Sequence, residues 1–595
     1  MPSEKSIHLR VFAAEDSGLY SLELMRRLVL LVLIAALAAV GILYGLRRAE
    51  RTPHAAVTAL LPRGTIALAH FPDFHRTRDQ WHQSDLYKLY QEPAVQDFLN
   101  KPLSRVPQSD TVSETVSDIE QLDLKDAFIA VTSIDDTGPH FAAGFRFHGS
   151  QSEAEKIVGR WRSQIVRDAS AHESQDYEQH KIDIVGAAPN QIATVYDGQW
   201  LFASNDLGEL KAVLDRADGR AATTAGSSGG GKLTLEGDDT FRAAMKHMPA
   251  SYALLFYLQP KALSGKLGSL SNAIGTSAEQ SAMVEQIWSI CAAPQFDKGK
   301  IRNVLFVGMP KPQSDQKLTR SSLALGSADT VLYLATLLNP ERLAGIDHGG
   351  LPLGSWLQKV FDVATGAGVS VDDWKAAFDL ELGSLADWPQ SARWPSIITS
   401  LRVKDPVRAN KIANALTHAI DEDAPWTKTE KNGVLYFYMQ SPAALFAITP
   451  TIALSNQLLI VGLDSASVES AISRSTKASG ALADSSAYRS AMRVVPAPTD
   501  AFVYVDTALL YSRLDAALRP MLLMSAAFMP AISDYVDVGK LPPPEIVAKH
   551  LTPLVSSQRY DGDGYVTEST GPVTLDIGLA LPAIAWAISQ NQGHR

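Results

Sequence analysis

Nineteen consecutive residues, Leu28–Leu46 (LVLLVLIAALAAVGILYGL), carry no charge. As a helix at about 1.5 Å per residue they extend roughly 28 Å, close to the hydrocarbon thickness of a bilayer. A helix satisfies its own backbone in lipid, so one spanning helix is the economical reading. Arg26 and Arg27 close one end, Arg47 and Arg48 the other, and Tyr44 sits at interfacial depth. A cleaved signal peptide has a shorter apolar core and a small-residue cleavage site. Here the run ends in Arg-Arg and comes after a tail, residues 1–27, so an uncleaved anchor is expected, with the membrane as partner through Leu28 to Leu46. Lys5, Arg10, Arg26 and Arg27 balance Arg47, Arg48, Arg51 and Arg63, so flanking charge does not orient the span. The usual layout of signal anchors places the short tail inside. The expectation is a single-pass cell-membrane protein whose large portion is extracytoplasmic, in a periplasm.

Over the whole chain the composition is that of ordinary globular material: 46% hydrophobic, 20% charged, mean hydropathy near zero. A net charge of -10 offers no basic face and argues against nucleic acid as a partner. Cys291 is the lone cysteine, so neither an internal disulfide nor a cysteine zinc site is available. Its setting, IWSICAA, suggests a buried small hydrophobe rather than a nucleophile.

The chain also resembles itself. Phe241–Ala250 (FRAAMKHMPA) matches Tyr488–Ala497 (YRSAMRVVPA), and each runs into a β-branched and aromatic strand. Gly144–Ile165 and Ser400–Ile420 both read as strand, polar turn and amphipathic helix; Gln199–Arg216 and Gln457–Arg474 both read as strand, capping Asp and helix. Leu61–Phe74 and Ala328–Pro340 open the copies, and Ile301–Pro310 and Val573–Pro582 are expected to close them. The organisation is therefore read as a 1–27 tail, the 28–46 span, a first repeat over 60–310, a linker over 311–327, a second repeat over 328–582 and a 583–595 tail. Hairpin-length gaps between strands imply antiparallel pairing, hence an α+β class with antiparallel sheets and helices packed on one face.

Several segments imitate chemistry. Gly226–Thr234 (GSSGGGKLT) matches GxxxxGK, but Leu233 stands where magnesium needs a hydroxyl, and no strand precedes it. The corresponding loop of the second copy lacks the tract altogether, which reads as a flexible insertion. His70, His75 and His82, with Asp73, cross a strand end and a helix without an i, i+4 pair; the other copy has Ala335 and Asn339, so surface or capping roles are expected. Tyr560–Tyr565 (YDGDGY) lacks the remaining ligands of a calcium loop and reads as a hairpin turn. Trp374, Trp388, Trp394 and Trp426 are expected mainly in packing. No catalytic, cofactor-binding or metal residue is assigned, and no cofactor.

The opening of the first copy, Leu61 to Leu103, resembles a group of uncharacterised, membrane-anchored bacterial proteins grouped as a domain of unknown function. The residues carrying the likeness are Leu61-Pro62, His70–Asp73, Leu86–Leu89 and Glu92-Pro93. The second copy departs from it, because Gly326–Pro340 keeps the strand but lacks the initial Leu-Pro. The resemblance implies an envelope protein and brings no catalytic residues. The leading expectation is a non-enzymatic scaffold or binding module with a protein partner in the envelope. The alternative is a ligand-binding or hydrolytic enzyme with its site between the copies.

Overall fold

The computed structural model describes residues 56–105, 118, 121–135, 138–165, 172–186, 191–220, 233–264, 286–311, 316–338, 365–419, 426–439, 449–475, 481–528 and 537–575. The anchor Leu28–Leu46 and most of the glycine-rich tract lie outside them. Among the described residues no helix is long and apolar enough to cross a membrane. The class is α+β, with antiparallel strand pairing throughout.

In the first half the strands are β1 (Ala67–Phe71), β2 (Asp126–Asp135), β3 (Gly138–Arg146), β4 (His172–Tyr177), β5 (His180–Val185), β6 (Ile192–Asp197), β7 (Trp200–Ser204), β8 (Leu255–Leu258), β9 (Ser289–Asp297) and β10 (Lys300–Gly308). In the second half they are β11 (Thr330–Leu337), β12 (Phe378–Asp387), β13 (Ser396–Val403), β14 (Trp426–Lys431), β15 (Val434–Met439), β16 (Thr451–Leu454), β17 (Leu458–Gly462), β18 (Ala501–Val505), β19 (Leu554–Tyr560) and β20 (Gly564–Gly571). Pairing gives the first half the order β4-β5-β6-β7-β3-β2-β1-β8-β9-β10. The second half has the order β14-β15-β16-β17-β13-β12-β11-β18-β19-β20, the same path strand for strand. β10 then pairs with β20, joining the halves into one sheet of twenty strands.

The outermost strands explain how so long a sheet ends. β4 (HESQDY) and β14 (WTKTEK) are mostly exposed and polar, with charges along each, which discourages further edge pairing. The turn into β15 is Asn432-Gly433, both at positive φ (52° and 72°), the geometry a two-residue hairpin requires.

Helices cover both faces, which corrects the expectation of one. Side chains alternate across a strand, so neighbours along it belong to different layers. On β15, Tyr436 joins a core with the helices Ser465–Ser475 and Ser486–Met492, whereas Phe437 joins one with the helices Val371–Ala377 and Pro406–Ala419. The first half divides likewise. Val195 packs with helices Leu207–Ala217 and Asp239–Met245, and Tyr196 packs towards helix Gln151–Ile165. A strand buried on both sides cannot show clean alternation, which is why the sequence pattern missed the second layer.

Two boundaries move as well. The counterpart of β10 is β20, since β19 and β20 form the hairpin through Tyr560–Tyr565; of the expected closing segment Val573–Pro582, residues 576–582 lie outside the described residues. The apolar spelling of Val573–Pro582 outweighed that of GYVTESTG, whose threonines and serines belong to a strand in mid-sheet. Within the expected linker, Leu318 is buried in the second-half core and its N–H donates to Thr499 O at 2.8 Å.

Candidate functional site

Matching strand registers give each position in one half its counterpart in the other, and this separates what the fold requires from what a half has added. Tyr257 is stacked edge-on against Phe241 (4.9 Å, 89°), and Tyr504 against Tyr488 (5.1 Å, 71°). Asp206 and Asp464 accept the first amides of equivalent helices, from Gly208 and Ser467. Asp238 and Ser485 cap the next pair. Arg216 donates to Leu60 O at 2.8 Å, and Arg474 to Leu325 O at 2.6 Å, fastening the segment before the first strand of each half. These groups appear twice because the architecture needs them.

Among the described residues, three polar clusters appear once. The first lies where β4 turns into β5. His180 Nε2 is 2.9 Å from Asp218, and ligand atoms of His180, Asp197 and Asp218 lie within 4.8 Å of one another, a spacing suited to a divalent cation. Arg220 already stands there: it pairs with Asp218 at 2.5 Å and Asp215 at 3.0 Å. Tyr177 donates to Asp215, and burial followed by that carboxylate pushes its phenol up. For Arg220, burial works against the charge, but its bonds to Asp215 and Asp218 hold it above its ordinary value. The guanidinium offsets part of the charge of Asp215 and Asp218. The second half places Lys431, Val434, Glu469 and Ser473 at the positions of Tyr177, His180, Lys211 and Asp215. There Lys431 and Tyr438 hold Glu469 at 2.9 and 2.7 Å.

The second cluster centres on His70, whose Nε2 is 3.1 Å from Asp126 and whose Nδ1 is 3.2 Å from Tyr252 Oη. Burial, then the Asp126 charge, pushes the Tyr252 phenol up to about 12. His70 is buried, contrary to the expected surface role. His75 instead lies 3.2 Å from Asp123, and His82 packs on Tyr87, so each histidine has a different partner. Asp73 caps its helix by accepting from Arg76 N. The counterparts of His70, Asp126 and Tyr252 are Ala335, Glu381 and Thr499. Glu381, 4% exposed, accepts four bonds from Thr319 and Ser321 and so ties the start of the second half to its sheet.

The third cluster lies on the seam between halves. Glu568, 7% exposed, is held by Arg302 of β10 at 2.6 Å and Arg559 of β19 at 2.9 Å. Burial pushes its carboxyl up, but the two guanidiniums outweigh this and hold it below the usual carboxylate range. Beside it the His247 ring stacks on Phe306 at 4.7 Å, 3.5 Å from Asp561. Burial lowers the affinity of His247 for a proton, with Asp561 opposing. At the rim, Glu92 receives His550 at 2.7 Å and Lys549 at 2.8 Å, and Lys540 meets Asp97 at 3.0 Å. None of these seam and linker contacts was assigned from sequence, because they join residues far apart along the chain.

Of the other sequence candidates, Cys291 is buried in the first-half core, its thiol pushed up to about 12 by burial. Trp374 and Trp388 are buried, Trp426 packs at a core margin, and Trp394 is 47% exposed. Leu233, near the end of the glycine-rich tract, is exposed.

No family model matches the chain, and no curated protein matches it, in accord with a resemblance limited to proteins of unknown function. Among solved structures it is similar to crystal form I of TP0453, with a TM-score of 0.24, 5% identity, and coverage of 44% of this chain and 81% of that one. Crystal form III of TP0453 gives 0.24, 8%, 45% and 84%.

Proposed function

We propose that this protein is a membrane-anchored, non-enzymatic scaffold or binding module of the cell envelope, built from two copies of one α+β unit. The observation that supports it is where the buried and half-buried charge goes. Glu381 fastens the entry to the second half, Glu568 fastens the seam, and Arg216 and Arg474 fasten the leading segments. Charge taken out of water is costly unless fully paired, and here it joins segments into a rigid platform. The run Leu28–Leu46 supplies the attachment to the bilayer, with Val57 opening the described body shortly after it.

The test is a broad hydrolase screen on residues 53–595. The expected result is no turnover above the reagent blank. Turnover that a single substitution abolishes, for instance at His70 or His180, would sink the reading and favour an enzyme. Placement is tested by a phosphatase reporter fused after Arg595, expected active outside the cytoplasm.

A further inference from the structure

Equivalent residues face each other at the centre of the seam. Tyr257 pairs with Cys291, which pairs with Phe306; Tyr504 pairs with Val555, which pairs with Thr570. Tyr257 corresponds to Tyr504, so Phe306 corresponds to Thr570, and two residues earlier Val304 corresponds to Glu568. Across the seam Val304 is directly opposite Glu568. The neighbours obey the same rule: Phe306 faces Val566 while its counterpart Thr570 faces Arg302, the counterpart of Val566. A register in which each residue faces its own equivalent is that of an isologous interface, the contact two identical copies make about a twofold axis.

An interface of this kind is self-complementary and would let like halves from two chains pair as readily as unlike halves within one. Here the residue on the axis breaks the symmetry. Val304 is 4% exposed and apolar, whereas Glu568 is buried and charged, and one of its two guanidiniums, Arg302, belongs to the other half. Two second halves meeting this way would set two buried Glu568 carboxylates against each other, with no Arg302 on the facing strand. Two first halves would place an Arg302 on either side of the axis without a carboxylate between them. Only the unlike pair supplies one acid and a base on the facing strand to hold it. Like charges directly opposite on neighbouring strands are destabilising, more so when desolvated.

We infer that the β10–β20 seam is a self-complementary interface between the two halves of the chain, and that Glu568 with Arg302 selects unlike halves over like ones. The inference rests on strand register and charge, independently of the anchored-scaffold reading. The rim pairs Glu92–His550, Glu92–Lys549 and Asp97–Lys540 also join unlike halves, but they lie towards solvent, where such pairs contribute little.

The experiment uses the full chain in detergent, with a protease site placed within residues 312–315. The folded protein is cut, re-equilibrated in sub-denaturing urea, and weighed by native mass spectrometry. The wild type is expected to return only unlike pairs. Glu568→Val, which leaves every rim pair intact, is expected to raise pairs of second halves by about a hundredfold, because it removes the like-charge repulsion between the facing acids. Val304→Glu, tested separately, is expected to release the cut halves from each other, because it faces Glu568 with a second acid. Unlike pairs alone from Glu568→Val would overturn the inference. So would Val304→Glu halves that stay associated as tightly as wild type. If either variant fails to fold, Glu568→Gln, which keeps shape and removes charge, is read instead, and an unchanged pairing ratio counts against the proposal.

Discussion

The first and second halves reach the same strand path with different interiors, and the difference separates scaffold from embellishment. Where both keep a group, as with Phe241–Tyr257 and Tyr488–Tyr504, the group is part of how the sheet is built. Where they part, as at His70 against Ala335 or His180 against Val434, the fold stands either way. The same contrast decides what to make of the charged clusters. A half-buried acid in one half, Asp126, need not be a catalyst when its counterpart, Glu381, holds down a chain segment.

The comparison breaks most readily at its core. Tyr257→Ala and Tyr504→Ala should each cost about 3–5 kcal/mol in urea unfolding, as large-to-small changes at buried aromatics do. The two costs should agree within about 1 kcal/mol; a large disparity would mean that the paired positions are not equivalent.

A second test sharpens the asymmetry. Glu381→Ala leaves the amides and hydroxyls of Thr319 and Ser321 without their acceptor and should cost about 2–4 kcal/mol, against about 1–2 for Asp126→Ala, which touches fewer donors. Equal costs would remove the distinction between the two acids. Smaller effects are expected at the helix caps, where Asp206→Ala and Asp464→Ala should each cost about 1 kcal/mol by thermal unfolding.

The smallest effect is one of pH. His247 is buried where its counterpart Val494 is exposed. Its folded proton affinity is lowered, so between the folded and unfolded values the unfolded chain binds the extra proton. The contribution is complete above the unfolded value, about 6.5, and declines as the pH falls from there towards the folded value. His247→Val should therefore flatten the stability profile below that pH. A profile as steep as wild type would place the titration elsewhere, with Asp561, Asp563, Lys246 and Arg559 as the facing charges.

Much of the strand arrangement was legible in the sequence. The matches of Gly144 with Ser400 and of the strands after Gln199 and Gln457 agree with the register that the hydrogen bonding gives. The misses have physical causes. Strands β4 and β14 lack apolar alternation because they are solvent-facing edges. The closing strand β20 is hard to see in sequence because its buried Ser569 and Thr570 read as polar, although sheet neighbours on both sides enclose them. His70 read as a surface residue because its partners, Asp126 and Tyr252, arrive from distant segments. No pattern within one strand could have announced Glu568, since its importance lies in what stands opposite.

The pairing of β10 with β20 makes two halves into one sheet, and amide hydrogen exchange along β10 measures it directly. A strand bonded on one edge protects alternate amides, and a strand bonded on both protects all. The prediction is that the amides from Ile301 to Gly308 exchange as slowly as those of β9, with β20 protected to match. Rapid exchange at every second residue of β10 would show a free edge, and the two halves would then be separate sheets rather than one.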